Sequence, residues 1–277
     1  MAGSCISPDR NTAWRFIDDG ERSGAFNMAR DEAVARSVCL GYPPTLRVYR
    51  FKPAAISIGR FQQVCGCIDL AACERKKIEV VRRPTGGLAI LHLDDFTYSV
   101  SLPRQQGTID PKDRYFALVA DGILETLLQL GIEGRVVSHR GKGVRPSIWC
   151  FDGAFGVDIE WRGRKICGSA QRLYREAVLQ HGSFFISVNN ELREQIVAAC
   201  QDVAKAGQQS NTFVSLLEAA GRAVTWEQVR LAFLEGFSKS LLLDIVPGRL
   251  SENEEFLAER LYETKYATDD WLLGKGP

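Results

Sequence analysis

Two rhythms of apolar and polar positions run along the chain, one with the period of a helix and one with the period of a strand. In "GAFNMARDEAVARSV", Phe26, Ala29, Ala33 and Val34 recur at helical spacing and predict a helix over 24–38. "TLRVYRF" alternates less regularly, through Leu46, Val48 and either Tyr49 or Phe51, and reads as a strand. "AAISIG" reads as a second strand ending at Gly59, and "IEVVRR", "LAILH" and "FTYSVSL" as further β-rich runs. Pro84, Gly86 and Gly87 mark a tight connection between two of these strands.

The clearest helical pattern lies in "DPKDRYFALVADGILETLLQLG". Asp110 is its expected N-cap and Pro111 its first residue, where a missing N–H costs nothing. Phe116, Val119, Ile123, Leu127 and Leu130 step along one face, and Gly131 is a natural stop. This helix reads as scaffold. In "FGVDIEW", Phe155, Val157, Ile159 and Trp161 share one face, while Gly156, Asp158 and Glu160 occupy the other, as in a half-buried strand. "RGRK" turns the chain and "VLQHGSFFI" returns as another strand. The remaining third is mostly helical, with capping boxes at Thr225–Gln228 and Ser251–Glu254. Hairpin-linked strands with helices before, between and after them predict an α+β fold with a mixed, largely antiparallel sheet flanked by helices. One catalytic domain over 1–277 is expected, with a core over roughly 14–250 and a C-terminal helical extension over 251–277.

Composition narrows the function classes. A net charge of +1 gives no global field for nucleic acid or an anionic membrane. No apolar run approaches the roughly 18 residues of a spanning helix, and the N-terminus lacks the basic and apolar regions of a secretory signal. The expected setting is cytoplasmic, where the eight cysteines read as thiols. Cys65, Cys67 and Cys73 cluster, but their C-x-C spacing without a nearby histidine reads as a turn and helix start rather than a metal site.

Three stretches carry candidate chemistry. "RRPTGGLAILH" sets Arg82 and Arg83 before a glycine turn whose amides can hold an oxyanion or phosphate; the competing reading is a hairpin with solvated arginines. It is not a Walker loop. "GRKICGSAQ" reads as a second loop, where Lys165 either polarises a carbonyl oxygen or is a solvated turn lysine. Cys150, in "IWCFD", is either a nucleophile or a small apolar filler.

In combination, "RRPTGGLAILH", "GRKICGSAQR" and "LQHGSFF" resemble, in order and spacing, the lipoate–protein ligases and octanoyltransferases. "WRFIDDGERSGAFNMARDEA", "ISIGRFQ" and "YETKYATDDW" extend the resemblance from Trp14 to Trp271. The resemblance implies the biotin/lipoate ligase catalytic fold, related to class II aminoacyl-tRNA synthetases. Leu88 stands where the ATP-dependent ligases of the family typically carry a third glycine, and "IWCFD" matches the cysteine loop of the LipM-type octanoyltransferases.

That branch implies Cys150 as the acyl acceptor and Lys165 as the group that orients or polarises the acyl carbonyl. It implies backbone approach to the oxyanion at Gly168 and Ser169, with Ala170 beside them in the substrate site, and an acyl or carrier entrance at Arg83, Thr85, Gly86 and Gly87. His181 is then a proton shuttle or a hydrogen-bonded structural histidine, and His92 a scaffold residue at the edge of the substrate site. Cys167 is the rival nucleophile, in a non-catalytic position of the motif. Leu88, Ile90 or residues of "ISIG" are candidates to line the acyl pocket, and Arg140, Lys142 and Arg145 to meet an acidic partner. The implied donor is octanoyl-acyl carrier protein. The implied acceptor is a lysine of the lipoyl domains of 2-oxoacid dehydrogenases or of glycine cleavage H protein. No cofactor is required on this route. The rivals are a LipL-type amidotransferase, an ATP- and Mg-using ligase, and a non-catalytic acyl binder.

Overall fold

The computed structural model describes residues 13–64, 68–104, 111–138, 149–150, 157–189, 191, 195–196 and 212–275. Asp110, His139, Arg140, Lys142, Arg145, Phe155 and Gly156, and with them Cys65 and Cys67, lie outside the described residues.

An eight-stranded sheet forms the centre, in the order β11-β1-β2-β6-β10-β9-β8-β7. Its strands are β1 (Trp14–Arg22), β2 (Thr45–Phe51), β6 (Asp95–Pro103), β7 (Arg135–Ser138), β8 (Val157–Trp161), β9 (Arg164–Leu173), β10 (Ala177–Phe185) and β11 (Ile245–Pro247). Only β1 pairs in parallel, with β11 and β2; the other neighbours are antiparallel. A smaller sheet, β4-β3-β5, is built from β3 (Ala55–Ile58), β4 (Glu79–Arg82) and β5 (Ile90–His92).

The two faces of the large sheet differ in chemistry because side chains alternate along each strand. Leu46 and Val48 of β2 pair with Val100 and Tyr98 of β6, and this face forms an apolar core. It packs against α3 (Pro111–Gln129) through Val119, Ile123 and Leu127, and against α5 (Trp226–Leu241) through Phe233 and Phe237. On the opposite face, Arg47 and Tyr49 pair with Ser99 and Thr97, and His181 and Ser183 continue the polar stripe. All six are buried, because α1 (Gly24–Val38) lies across them.

The 24–38 helix has its expected limits, with Ser23 capping its N-terminus. Its surroundings were not readable from its pattern. It is buried almost all round, and Asn27, Asp31 and Glu32 are fully enclosed. Arg47 accounts for two of these polar groups: it donates to Asp31 at 2.6 Å, to Asn27 Oδ1 at 2.8 Å and to Asp19 at 2.8 Å. Burial works against the guanidinium, yet Asp19 and Asp31 hold it above its ordinary value. The outer side of α1 is covered by α6 (Glu252–Leu261), a π-helical turn (Tyr262–Tyr266) and α7 (Asp269–Leu272). Both expected capping boxes are present, and α2 (Leu70–Arg75) starts at an Asp69 cap with Cys73 buried. A short α4 (Leu216–Ala220) precedes α5.

Three expectations are corrected. "GRKICGSAQ" is not a loop but most of strand β9. The Pro84–Gly87 segment does not close a hairpin, since β4 and β5 pair with opposite edges of β3 and not with each other. The polar face of "VDIEW" is not solvated, because Asp158 and Glu160 are both buried.

Candidate active site

Lys165, on the large sheet, meets Cys150, on a segment held against the small one. Trp149 is buried against Ile56, Ile58 and Leu91, and bridges to Ala89 at the start of β5. The Cys150 amide then donates to the Ala89 carbonyl at 2.8 Å, which fixes the thiol beside the small sheet. Lys165 arrives from β9 through a register irregularity. Glu160 pairs with Lys165, but Ile159 pairs with Cys167, so β9 carries one extra residue. Ile166 and Cys167 both enter the apolar core, which leaves Lys165 and Gly168 on the cavity side.

The Lys165 ammonium has three donors, and its nitrogen lies 2.7 Å from Asp158 Oδ1, 3.3 Å from the Cys150 carbonyl oxygen and 3.5 Å from Cys150 Sγ. Only 6% of Lys165 is exposed, so the solvated-turn reading is set aside. Burial disfavours its charge, but the Cys150 sulfur and the Asp158 carboxylate outweigh burial and hold the ammonium above its ordinary value. Asp158 was not singled out from the sequence. The available signal was its place in a hairpin arm that turns at "RGRK", directly across from the arm carrying Lys165.

Cys167 has a different environment. Its sulfur faces Tyr98 Oη at 3.7 Å in the core, and burial pushes the thiol up to about 12. A group held neutral in this way is a poor nucleophile.

The cavity beside Cys150 is lined by Met28, Tyr49, Phe51 and Ile90, with Gly168, Ser169 and Ala170 along one edge. Of the pocket candidates from the sequence, Ile90 and Ser57 of "ISIG" line it, and Leu88 does not. Arg83 and Gly87 close the neighbouring edge. The solvated-arginine reading of "RRPTGG" is set aside, because Arg82 and Arg83 are both buried and donate to backbone. Arg83 donates to the Ser57 carbonyl at 2.6 Å and hydroxyl at 2.9 Å, and to the Gly86 and Leu88 carbonyls at 3.0 and 2.9 Å. Burial pulls its guanidinium down to about 10. Arg82 donates to the carbonyls of Gly59, Arg60, Gln62, Trp271 and Leu272. Both pin loop backbone through its carbonyls. Gly59 lets the loop seat itself: a Cβ there would lie 1.9 Å from the Gly87 carbonyl oxygen, and Gly87 has φ of +90°.

The two histidines each connect a hydroxyl to a carboxylate. His181 Nδ1 is 3.0 Å from Asp31 Oδ2, and Nε2 is 2.6 Å from Thr85 Oγ1. The buried carboxylate fixes the proton on Nδ1, so the Thr85 hydroxyl donates to Nε2. Thr85 therefore anchors the glycine loop to the sheet rather than facing a ligand. His92 Nδ1 lies 2.6 Å from Asp95 Oδ2 and Nε2 lies 2.7 Å from Ser57 Oγ, while the ring stacks on Phe51 at 3.9 Å. With both ring nitrogens engaged, each histidine reads as part of the cavity wall. Among the described residues, no three His, Cys, Asp or Glu side chains converge as a metal ion would need.

His181 makes stability pH-dependent with a definite sign. Burial pushes it below its ordinary value, more than Asp31 raises it. The unfolded chain takes up this proton below about pH 6.5, whereas the folded chain resists until lower pH. Stability is thus unaffected by His181 above that value and falls below it, by at most about 1.4 kcal/mol per pH unit. Urea unfolding at about pH 7 and about pH 5.5 checks this: His181→Gln should lose less on acidification than wild type. Equal losses would remove His181 as the cause.

Comparison with known proteins places these residues in context. The model of the lipoyl protein ligase A/B catalytic domain matches residues 23–238. The chain is 36% identical to the octanoyltransferase LipM of Symbiobacterium thermophilum, over 95% of this chain and 99% of that one. It is 34% identical to the octanoyltransferase LipM of Bacillus subtilis, over 93% and 97% of the two chains. Among solved structures, a lipoate–protein ligase A with bound ATP superposes with a TM-score of 0.79 at 26% identity, covering 95% of this chain and 99% of that one.

Proposed function

The chain belongs to the lipoyl protein ligase A/B catalytic-domain family, and we propose that within it the protein is an octanoyltransferase working through an acyl-Cys150 thioester. Its full-length relatives are octanoyltransferases, and one observation carries the covalent route: a cysteine sulfur 3.5 Å from a buried lysine ammonium at the edge of an apolar cavity. We further propose octanoyl-acyl carrier protein as donor and a lipoyl-domain lysine as acceptor.

The donor carbon is already activated as a thioester, so this route draws on no nucleotide. The Cys150 thiolate attacks the carbonyl, and the resulting oxyanion is stabilised by the Lys165 ammonium. Collapse breaks the bond to the pantetheine sulfur, which leaves as a thiol after taking a proton. The octanoyl chain lies in the cavity of Met28, Tyr49, Phe51 and Ile90, where each buried methylene contributes about 0.8 kcal/mol. In the second half, the acceptor amine attacks the acyl-Cys150 carbonyl. The C–N bond forms, the C–S bond breaks, the amine loses its proton, and the Cys150 thiolate is restored beside Lys165. Thioester exchange is near balance, and amide formation drives the sequence forward.

Intact mass after mixing with octanoyl-carrier protein, without ATP, tests this reading. The expected result is a single octanoyl adduct, cleaved by hydroxylamine and passed to an added lipoyl domain. An adduct formed only from an octanoylated lipoyl domain would make the protein an amidotransferase. Modification of the acceptor only with free lipoate and ATP would make it a ligase.

A further inference from the structure

A second cleft opens on the far side of the glycine loop, and its charge is unlike that of the molecule as a whole. Arg36, Arg60, Arg172, Arg260, Lys265 and Lys275 line it, against the carboxylates of Glu32 and Asp270, in a chain whose net charge is only +1. Glu32 is already committed to Arg36, to Lys265 at 2.6 Å and to the Tyr266 hydroxyl. Among the described residues, none of Arg60, Arg172, Arg260 and Lys275 has a carboxylate within ion-pair distance. Burial, with smaller contributions from Arg172 and Arg36, draws Lys265 below its ordinary value although Glu32 supports it. An anion entering this cleft would relieve that excess.

The cleft is tied to the catalytic cavity by the loop between them. Arg172 donates to the Pro84 carbonyl at 3.4 Å, and the Arg60 amide donates to the Thr85 carbonyl at 2.7 Å. On β9, Ala170 edges the cavity and Arg172, two residues on, lines the cleft. Lys165, beside Cys150, lies seven residues before Arg172, roughly 20 Å along the strand. That is the scale of an extended phosphopantetheine arm between its thioester and its phosphate. Guanidinium groups match phosphate oxygens in geometry as well as charge.

We propose that this cleft binds the phosphodiester of the donor's phosphopantetheine arm while its thioester lies at Cys150. The assignment rests on the octanoyltransferase reading above and adds how the donor is recognised. A free acid carries no such phosphate, so the cleft favours a carrier-linked thioester over a free fatty acid.

The test compares octanoyl-carrier protein, octanoyl-phosphopantetheine and octanoyl-pantetheine as donors, reading initial rates of Cys150 acylation by mass. Wild type is expected to prefer phosphopantetheine to pantetheine. An Arg60→Ala/Arg260→Ala/Lys275→Ala variant should lose about tenfold on both phosphate-bearing donors, taking each contact as modest, and nothing on octanoyl-pantetheine. Added salt should reproduce part of that loss. A loss confined to the carrier would assign the cleft to the carrier's protein surface and overturn the phosphate proposal. Equal loss on all three donors, or no phosphate preference in wild type, would overturn it as well. Failure of wild type to accept any octanoyl thioester would instead refute the transferase reading. Titration with non-acylated phosphopantetheine then decides the cleft independently, because binding lost in the triple variant still supports it.

Discussion

Replacing Cys150 by alanine should abolish the octanoyl adduct and lower transfer to a lipoyl domain by at least about 10³-fold, as removal of a covalent nucleophile does. The alternative thiol cannot take over. Cys167 lies two residues from Lys165, but it faces the core beside Tyr98, and burial pushes it up to about 12. Cys167→Ala should therefore retain transfer and lose only the packing of a small buried side chain, about 1–2 kcal/mol. Single-turnover acylation followed by intact mass separates the two variants. An adduct of equal yield on Cys150→Ala would return Cys150 to the role of a packing residue. Cys150→Ser tests the leaving group as well, since an acyl-serine ester passes its acyl group to an amine far more slowly than a thioester does.

Much of the scaffold was legible because it follows local rules. The helix over 24–38 ends where its pattern ends, and the two capping boxes form from residues three apart. What stayed hidden depends on partners distant in sequence. β1 alternates poorly, since both its faces are buried, and β11 is a three-residue strand that exists only because β1 offers an edge. Arg83 and Thr85 stood out as ligand groups by residue type. Their donors nonetheless go to the Ser57, Gly86 and Leu88 carbonyls and to His181, contacts no local pattern encodes. Lys165 and Cys167 illustrate the same limit. Strict alternation would place them on one face, and only the extra residue in β9 sends one to the cavity and the other to the core. Asp158 falls on the second face of a pattern that reads as a half-buried strand, so its pairing with Lys165 had to come from the structure.

That pairing carries the second large effect. Asp158 Oδ1 and Cys150 Sγ flank the same ammonium, at 2.7 and 3.5 Å, so the carboxylate keeps Lys165 charged and directed at the sulfur. In Asp158→Asn the amide preserves the shape and a hydrogen bond but not the charge. Burial then acts on Lys165 with less opposition, and the ammonium 3.5 Å from the Cys150 sulfur is less firmly held in its charged form. Octanoyl transfer at neutral pH should fall by about 10²-fold, near 2.7 kcal/mol, and alkylation of Cys150 by iodoacetamide should slow with it. Lys165→Met should be worse for folding, because it removes the ammonium 2.7 Å from the buried Asp158 carboxylate, at a cost of about 3–5 kcal/mol. Asp158→Leu/Lys165→Met removes both charges and should recover most of that stability while remaining inactive. The pH dependence does not confuse the comparison. Lys165 is raised above its ordinary value when folded, so its contribution is complete at neutral pH and is lost only as pH climbs through the lysine range and beyond. A stable double variant that still formed the adduct at the wild-type rate would show that the ion pair only holds the hairpin together. A stable, inactive one with unreactive Cys150 would show that the pair sets the sulfur for reaction.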